Sequence, residues 1–298
     1  MAWLLLAEAV ASPALDAATT SDEADWFFAF RHWGYLSAFC QKYDKTDGLR
    51  QYHCLDIFSF SQRVCKTASR KGYQAIAYDI KSNPSFDVTT RDGFILLVKI
   101  GLQSLENALL MLAPPCSLFV GISVGTHKRS ETNLEGDTSL FSVRLSNLIL
   151  RNTVTFLLLM AYFRPSLKVV IEQPKSSWMF KQSPVKEVLH RWNLHKHLTY
   201  LGFFGAPILK GTHLLSNICL QPLVRKATKE AKERHARQVA KTNSKKLAAG
   251  KRVPIFWVRG PNGKFHGGPD LSGTSLYPQR FVTALIKCWE ESIPAIPS

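Results

Sequence analysis

The chain has 298 residues, 46% of them hydrophobic, and 38 lysines and arginines against 22 aspartates and glutamates give a formal charge of +16. This size and apolar content exclude a chain that is disordered throughout, and six cysteines without a C-x-x-C pair exclude a zinc module or a disulfide scaffold. The positive charge attracts polyanions, either nucleic acid or an anionic membrane surface, and by itself does not choose between them.

Residues 1–50 read as a variable lead-in, in which Trp26 to Tyr35 is typical of a packed helix. Met1 to Ala11 is apolar, but it lacks the basic start of a secretory signal and is interrupted by Glu8. The longest apolar run, Phe156 to Phe163, falls well short of the roughly 18 residues of a membrane span. The sequence therefore predicts a soluble intracellular protein, nuclear or cytoplasmic, without a membrane partner.

Residues 51–222 begin with a β-α-β unit. Cys54 to Phe58 is a short β-type run, Gln62 to Lys71 has helical composition, and Gln74 to Tyr78 is a second β-type run. Gly72 is the natural end of the helix between them.

The alternation continues along the chain. Thr89 and Asp92 have capping-box spacing and open a helix, Asn107 to Leu112 is a strand, Ser142 to Phe163 is helical, and Lys168 to Ile171 is a strand. Alternating strands and helices predict an α/β fold with a doubly wound, mostly parallel, Rossmann-like sheet. Ligands of such sheets bind beyond the carboxyl ends of the strands.

Residues 223–270 form a basic region. Between Arg225 and Arg252, eleven lysines and arginines face two glutamates, so that this stretch carries +9 of the total charge of +16. Arg225 to Thr242 is predicted to be an exposed helix without a broad apolar face. A solvated helix and linker is one interpretation, and a nucleic-acid contact is the other. The candidate contacts are Arg225, Lys226, Lys229, Arg237, Lys245 and Lys246.

The end of the chain adds two elements. Val253 to Arg259 and Lys264 to His266 flank Gly260-Pro261-Asn262-Gly263 and predict a hairpin. Residues 271–298 contain a final helix, Gln279 to Glu291, which we expect to pack back on the core.

The turn Asp56-Ile57-Phe58-Ser59-Phe60-Ser61-Gln62 leads from the first strand into the first helix. It resembles the D-L-F-x-G-x-G donor loop of the cytosine-5 DNA methyltransferases. The resemblance implies that S-adenosylmethionine is the cofactor, bound by Asp56, Phe58 and Ser59, with Phe58 stacking on adenine. Phe60 and Gln62 occupy the two glycine positions, where a side chain crowds a ligand or forces backbone angles that only glycine takes cheaply.

Two later aspartates extend this match. Asp79 follows the second strand, where nucleotide-binding α/β domains place a carboxylate on ribose hydroxyls. Asp87 resembles the family acid that approaches the adenine amino group. Both residues could instead be turn or cap aspartates.

Ala113-Pro114-Pro115-Cys116 follows the third predicted strand and resembles the family's Gly-Pro-Pro-Cys catalytic loop. The resemblance implies that Pro114 lies beside the cofactor and that the Cys116 thiolate attacks carbon 6 of a flipped cytosine. A buried, inert cysteine is the alternative.

Two further segments resemble family motifs. Glu172, in Val169-Val170-Ile171-Glu172-Gln173-Pro174, resembles the glutamate of the Glu-Asn-Val signature, which hydrogen-bonds ring nitrogen 3 of cytosine; a cap or salt-bridge glutamate is the alternative. Lys210, in Phe204 to Thr212, stands for the first arginine of the Tyr-Gly-x-Pro-Gln-x-Arg-x-Arg segment, which holds the flipped base. Lysine keeps the charge without the bidentate fork.

The resemblance also implies a polyanion contact in the polar loop Gly125 to Asp137, through Lys128 and Arg129. DNA is thus the expected partner, and the chain is a divergent cytosine-5 methyltransferase or a catalytically inactive protein of that fold that binds nucleic acid or another protein. His190, His195 and His197 have no cysteine nearby, and no metal site is expected.

Overall fold

The computed structural model divides the chain into two compact units, residues 1–45 and 46–298. In the first unit, the described residues are helical. The helix predicted from Trp26 to Tyr35 lies outside the described residues. The structure describes residues 38, 40–42, 50–259, 265–270 and 276–294.

Strands and helices alternate along the second unit, as the hydrophobic pattern predicts. In chain order they are β1 (Tyr52–Ile57), α1 (Arg63–Arg70), β2 (Ala75–Tyr78), α2 (Arg91–Leu102), β3 (Ser104–Leu112), α3 (Val124–His127), α4 (Phe141–Phe163), β4 (Lys168–Pro174), α5 (Ser183–Arg191), β5 (His195–Tyr200), β6 (Gly211–Ser216), α6 (Lys229–Ala248), β7 (Trp257–Arg259), β8 (Phe265–Gly267) and α7 (Gln279–Glu290).

Six strands form one mixed sheet in the order β2-β1-β3-β4-β6-β5. The first four are parallel, whereas β6 is antiparallel to both of its neighbours. The last five residues of β3 are buried, as expected for a parallel strand covered on both faces. The predicted α/β class and mostly parallel sheet are confirmed, and the antiparallel insertion of β6 was not predicted.

The C-terminal helix α7 packs against the sheet and α1. Phe281, Leu285 and Trp289 are buried in the same hydrophobic cluster as residues of β1, β3, β4 and β6. The indole of Trp289 donates a hydrogen bond of 2.9 Å to the carbonyl oxygen of Asn107 in β3. The end of the chain is therefore part of the core.

Helix α4 packs against α2 and α5. Its 23 residues are long and apolar enough to cross a membrane by length and composition, and 56% of its most apolar 18-residue window is buried within the fold. A polar side chain of this helix also bonds to the rest of the fold, since the Asn152 side-chain amide donates to the carbonyl oxygen of Val88. A mostly buried core helix meets the same length and hydropathy criteria.

Helix α2 starts at Arg91, as predicted, but its capping residue and the bounds of α6 differ from the prediction. Thr90, not Thr89, caps α2, and its hydroxyl accepts from the amide of Gly93. Helix α6 begins after Thr228, whose hydroxyl accepts from Ala231, and it extends beyond the predicted end at Thr242. Capping spacing alone did not choose between two adjacent threonines.

The loop after Cys116 is built around Arg129, which we predicted to contact nucleic acid. That prediction is wrong, because Arg129 is 1% exposed. Its guanidinium donates to the carbonyl oxygens of Leu118 and Leu134 and to Ser146 and Asn147, and it lies 4.1 Å above the Phe119 ring. Burial lowers the pKa of Arg129 to about 10. Of the two basic residues predicted to contact nucleic acid in this loop, Lys128 is exposed to solvent.

We predict that Arg129→Met lowers the free energy of unfolding by about 2–4 kcal/mol, because it leaves buried carbonyl and amide groups without partners. Urea denaturation measures the change. The matched variant Lys128→Met, which removes an exposed charge, should change stability by less than about 0.5 kcal/mol. Equal effects of the two variants would contradict the buried role of Arg129.

Candidate functional site

The sheet order places a winding reversal between β1 and β3. Ile57 at the end of β1 lies opposite Leu112 at the end of β3, and the Ala113 amide donates to the Ile57 carbonyl oxygen at 3.1 Å. We call residues 56–62, which resemble the donor loop, the donor-type loop. It and the Pro-Pro-Cys loop thus leave the sheet side by side. In open α/β sheets this is where ligands bind.

The Glu172 carboxylate, near the end of β4, is 5% exposed and has three partners. Oε1 accepts from the Thr212 hydroxyl at 3.1 Å and lies 3.5 Å from the Lys210 ammonium. Oε2 accepts from the Tyr277 hydroxyl at 3.1 Å. Thr212 can reach Glu172 because it pairs across β4 and β6 with Pro174, which lies two residues further along β4. A buried carboxylate with an ion pair and two hydroxyl donors is electrostatically compensated.

Cys116 belongs to the same cluster. Burial raises the pKa of its thiol, the Lys210 ammonium opposes that rise, and the Glu172 carboxylate adds to it. Burial alone would lower the pKa of Lys210, but Glu172 and Cys116 raise it above its usual value. Lys210 and Glu172 thus form an ion pair, and Cys116 lies within the electrostatic influence of both, where its sulfur is held as a thiol.

The donor-type loop adopts left-handed backbone angles at three residues that are not glycine. The φ values are 58° at Phe58, 40° at Phe60 and 56° at Gln62. Phe60 and Gln62 are the two positions where the resembled motif has glycine, and the expected backbone strain is confirmed there. Such a conformation costs about 1–2 kcal/mol per residue with a Cβ atom.

Asp79, directly after β2, binds the backbone of this loop. Its Oδ2 accepts from the Phe60 amide and its Oδ1 from the Lys81 amide, each at 2.8 Å. The Lys81 ammonium lies 4.1 Å above the Phe60 ring, which is 38% exposed. Asp79 thus acts as a turn aspartate that ties β2 to the loop. Ser59, between the two strained phenylalanines, is buried, and its hydroxyl has no hydrogen-bond partner among the residues that the structure describes.

The remaining predicted cofactor residues also have structural partners. The Asp56 carboxylate accepts from the Cys65 amide at 3.0 Å at the start of α1. Asp87 Oδ1 accepts from the amide and hydroxyl of Thr89 before α2. Phe58 is half-buried, and its amide donates to the carbonyl oxygen of Tyr78. Pro114 is buried, and its carbonyl oxygen accepts from the Gln173 side chain at 2.6 Å.

Most of the predicted nucleic-acid residues of the basic region lie on the surface. Helix α6 has no buried residue, and one contact to the rest of the fold joins His235 to the carbonyl oxygen of Ala206 at 3.1 Å. The Arg225 guanidinium lies 5.2 Å from the Phe204 ring. Exposed basic residues of the predicted set are Arg225, Lys226, Lys229, Arg237 and Lys245, while Lys246 is half-buried.

Tyr277 is a site residue that the sequence did not reveal. It lies 105 residues from Glu172 in the chain, and its backbone carbonyl oxygen accepts from Arg63 in α1. Burial, followed by the nearby Glu172 carboxylate, raises its pKa well above the usual value. Tyrosine before a C-terminal helix has no local signal for such a contact. Within the described part of the chain, no group of three or more histidine, cysteine or acidic side chains is placed to hold a metal ion.

Comparisons with protein-family models, with curated proteins and with solved structures find no match to this chain. Any functional assignment must therefore come from the residues of the site.

The pH dependence of stability tests whether the Asp56 carboxyl is buried at the end of β1, beside the winding reversal. Burial raises its pKa from 3.8 to about 7, against the effect of its backbone hydrogen bonds. Between about pH 4 and pH 7 the unfolded chain ionises this group and the folded chain does not, so rising pH removes stability over that window. Relative to wild type, Asp56→Asn should therefore become more stable by about 4 kcal/mol as the pH rises from 4 to 7.5, because a pKa that moves from 3.8 to about 7 corresponds to that free energy; urea denaturation measures the change. Parallel pH profiles of the two proteins would contradict burial of this carboxyl.

The second test concerns the Cys116 thiol. Lys210→Met should raise its pKa further and slow alkylation by iodoacetamide at pH 8 by about threefold to tenfold, because the opposing positive charge is lost. Glu172→Gln should accelerate alkylation by a similar factor, because a negative charge is lost. Peptide mass mapping separates Cys116 from the other five free cysteines. Cys219, which is exposed, is the internal control. Unchanged rates at Cys116 in both variants would mean that the three groups are not coupled.

Proposed function

We propose that this chain is a nucleic-acid-modifying protein of the cytosine-5 methyltransferase type, with DNA as substrate and S-adenosylmethionine as methyl donor. The observation that carries the proposal is the Lys210–Glu172 ion pair near the end of β4, whose two charges both act on the thiol of Cys116 after β3. A thiol, a carboxylate and an ammonium from three distant segments are the groups that covalent attack on a cytosine ring requires.

In this mechanism each residue acts on the flipped base. As the Cys116 sulfur adds to carbon 6, Glu172 takes the thiol proton and passes it to ring nitrogen 3, which receives the electrons displaced from the double bond between carbons 5 and 6. Lys210 stabilises the thiolate and holds the Glu172 carboxylate. When bound, the cofactor supplies the methyl group for carbon 5. Loss of the carbon 5 proton then expels the Cys116 sulfur and restores the ring.

The residues of the donor-type loop fit a cofactor in part. The unpartnered, buried hydroxyl of Ser59 is a polar group that a ligand could satisfy. Asp79 lies at the end of β2 and each of its oxygens has a second lone pair. Ser59 and Asp79 would therefore hold the nucleoside part of the donor, with Phe58 beside them.

A second candidate function is that of an inactive protein of the same fold that binds DNA. The strained φ angles of Phe60 and Gln62 favour it, because side chains replace hydrogens where a close approach to the donor is expected. The exposed basic residues of α6 and its flanks support DNA binding in either case. This candidate predicts a protein that binds DNA and does not methylate it.

Two measurements distinguish the candidates. Calorimetry with S-adenosylmethionine reports on the donor loop, and Phe60→Gly with Gln62→Gly should strengthen donor binding by about tenfold while relieving backbone strain. A matched control, Phe86→Gly, removes a phenylalanine outside the loop and should not improve binding. If the glycine variant binds no donor even at millimolar concentration, the donor site does not exist.

Covalent trapping tests the thiol. Wild type, incubated with donor and with DNA containing 5-fluorocytosine, should form an adduct that survives denaturing electrophoresis, and Cys116→Ser should form none. Glu172→Gln should slow trapping while leaving DNA affinity unchanged. Donor binding without trapping on any DNA sequence tested would support the inactive candidate.

A further inference from the structure

A second polar cluster lies at the antiparallel end of the sheet, outside the site described above. It consists of Lys175 after β4, Phe180 in the turn Trp178–Lys181, Lys196 in β5 and His213 in β6. We call these four residues the β5–β6 patch. They come from different elements and were not identified from the sequence.

Strand pairing brings the patch together. His213 pairs with Gln173 of β4 on one side and with Leu198 of β5 on the other. Because alternate residues of a strand share a face, Lys196 projects from the same face as Leu198 and His213. The Phe180 ring lies 6.3 Å from the His213 ring, and the Lys196 ammonium lies 5.8 Å from the centre of the Phe180 ring.

The two lysines of the patch carry uncompensated charge. Both are exposed, and neither forms an ion pair with any residue in the described part of the chain. The adjacent Lys181 differs, since it is paired with Glu131. Lys175 and Lys196 therefore provide a local positive field at a point where no carboxylate neutralises it.

His213 lies between these charges and lacks a partner of its own. Its Nδ1 atom is buried and has no hydrogen-bond partner in the described part of the chain. Burial, followed by the positive charges of Lys196 and Lys175, lowers its pKa to about 4. At neutral pH the ring is therefore uncharged, and an anion close to the lysines would reduce the repulsion between the two ammonium groups.

The patch is connected to the candidate active site by one residue. Gln173, the β4 neighbour of His213, donates from its side-chain nitrogen to the Pro114 carbonyl oxygen and accepts from the Ser177 hydroxyl at 2.9 Å. Pro114 lies two residues before Cys116 in the chain. Because neighbouring residues of a strand point to opposite sides of the sheet, His213 and Gln173 lie on the face opposite to Glu172 and Leu214.

We propose that Lys175, Lys196 and His213 bind a backbone phosphate of a single-stranded nucleic acid, with Phe180 as the surface on which a neighbouring base stacks. Two free ammonium groups beside an aromatic ring are the combination that binds a single strand without reading its sequence. The ligand class rests on the proposed function, whereas the phosphate site itself depends only on the four residues of the patch.

The experiment measures binding of a fluorescein-labelled, 12-nucleotide single-stranded DNA of mixed sequence at pH 7 and several salt concentrations. The variant Lys175→Gln with Lys196→Gln should weaken binding and reduce the slope of log affinity against log salt by about 0.7, the value for one lost phosphate contact on a single strand. The control Lys168→Gln removes a lysine at the other end of β4, about 20 Å away along the strand, and tests whether any lost charge has the same effect.

The aromatic part is tested separately. Phe180→Leu should weaken binding of the same oligonucleotide by about 5- to 100-fold, and should leave binding of an oligonucleotide of equal length made of abasic sites unchanged. In wild type, inorganic phosphate should shift the NMR signals of the His213 ring, and the double lysine variant should abolish that shift. Thermal melts confirm that each variant remains folded.

The outcomes separate this inference from the proposed function. An unchanged affinity and salt slope in the double lysine variant, or equal losses with Lys168→Gln, would overturn the patch as a phosphate site. Failure of covalent trapping at Cys116 with a reduced salt slope in the double variant would overturn the methyltransferase proposal and support the patch. A His213 shift with phosphate but no effect of any patch variant on DNA binding would overturn the assignment to a nucleic-acid strand.

Discussion

Burial of the Glu172 carboxylate constrains the arrangement of the whole site. An ionised carboxylate at 5% exposure is strongly unfavourable without partners, and here the partners come from the segment before β6, from β6 itself and from the start of α7. Because Thr212 must reach Oε1, β6 has to lie directly beside β4. Because Tyr277 must reach Oε2, the C-terminal helix has to dock on the same side of the sheet. The charge, once buried, thus ties together segments that are distant in the chain.

The donor-type loop keeps an unfavourable backbone conformation. Left-handed angles at Phe60 and Gln62 are unfavourable, yet the loop keeps them because Asp79 accepts from the Phe60 amide and Gln62 opens α1. Such strain persists where the surrounding structure over-determines the backbone. It is consistent with a loop whose path is set by the ends of β1 and β2, whatever side chains it carries.

Positive charge is used in three ways in this chain. Arg129 is buried and holds a loop together, Lys210 is paired with Glu172, and the basic residues of α6 remain exposed. Residue type alone does not distinguish these uses, because each depends on which carbonyl, carboxylate or solvent surrounds the cation. A net charge of +16 therefore indicates attraction to polyanions, while the location of contacts depends on the fold.

The sequence by itself determined the α/β class, the alternation of elements and the position of Asp56, Asp79, Cys116 and Glu172 near strand ends, because hydrophobic periodicity and helix signals are local along the chain. It also predicted the strain at Phe60 and Gln62, because the need for glycine is a property of one residue's backbone. Only the tertiary structure decided that β6 is inserted antiparallel, that Tyr277 contacts Glu172, that Arg129 is buried and that His213 lies between two lysines. These features depend on pairing and packing between residues far apart in the chain, for which a local pattern carries no signal.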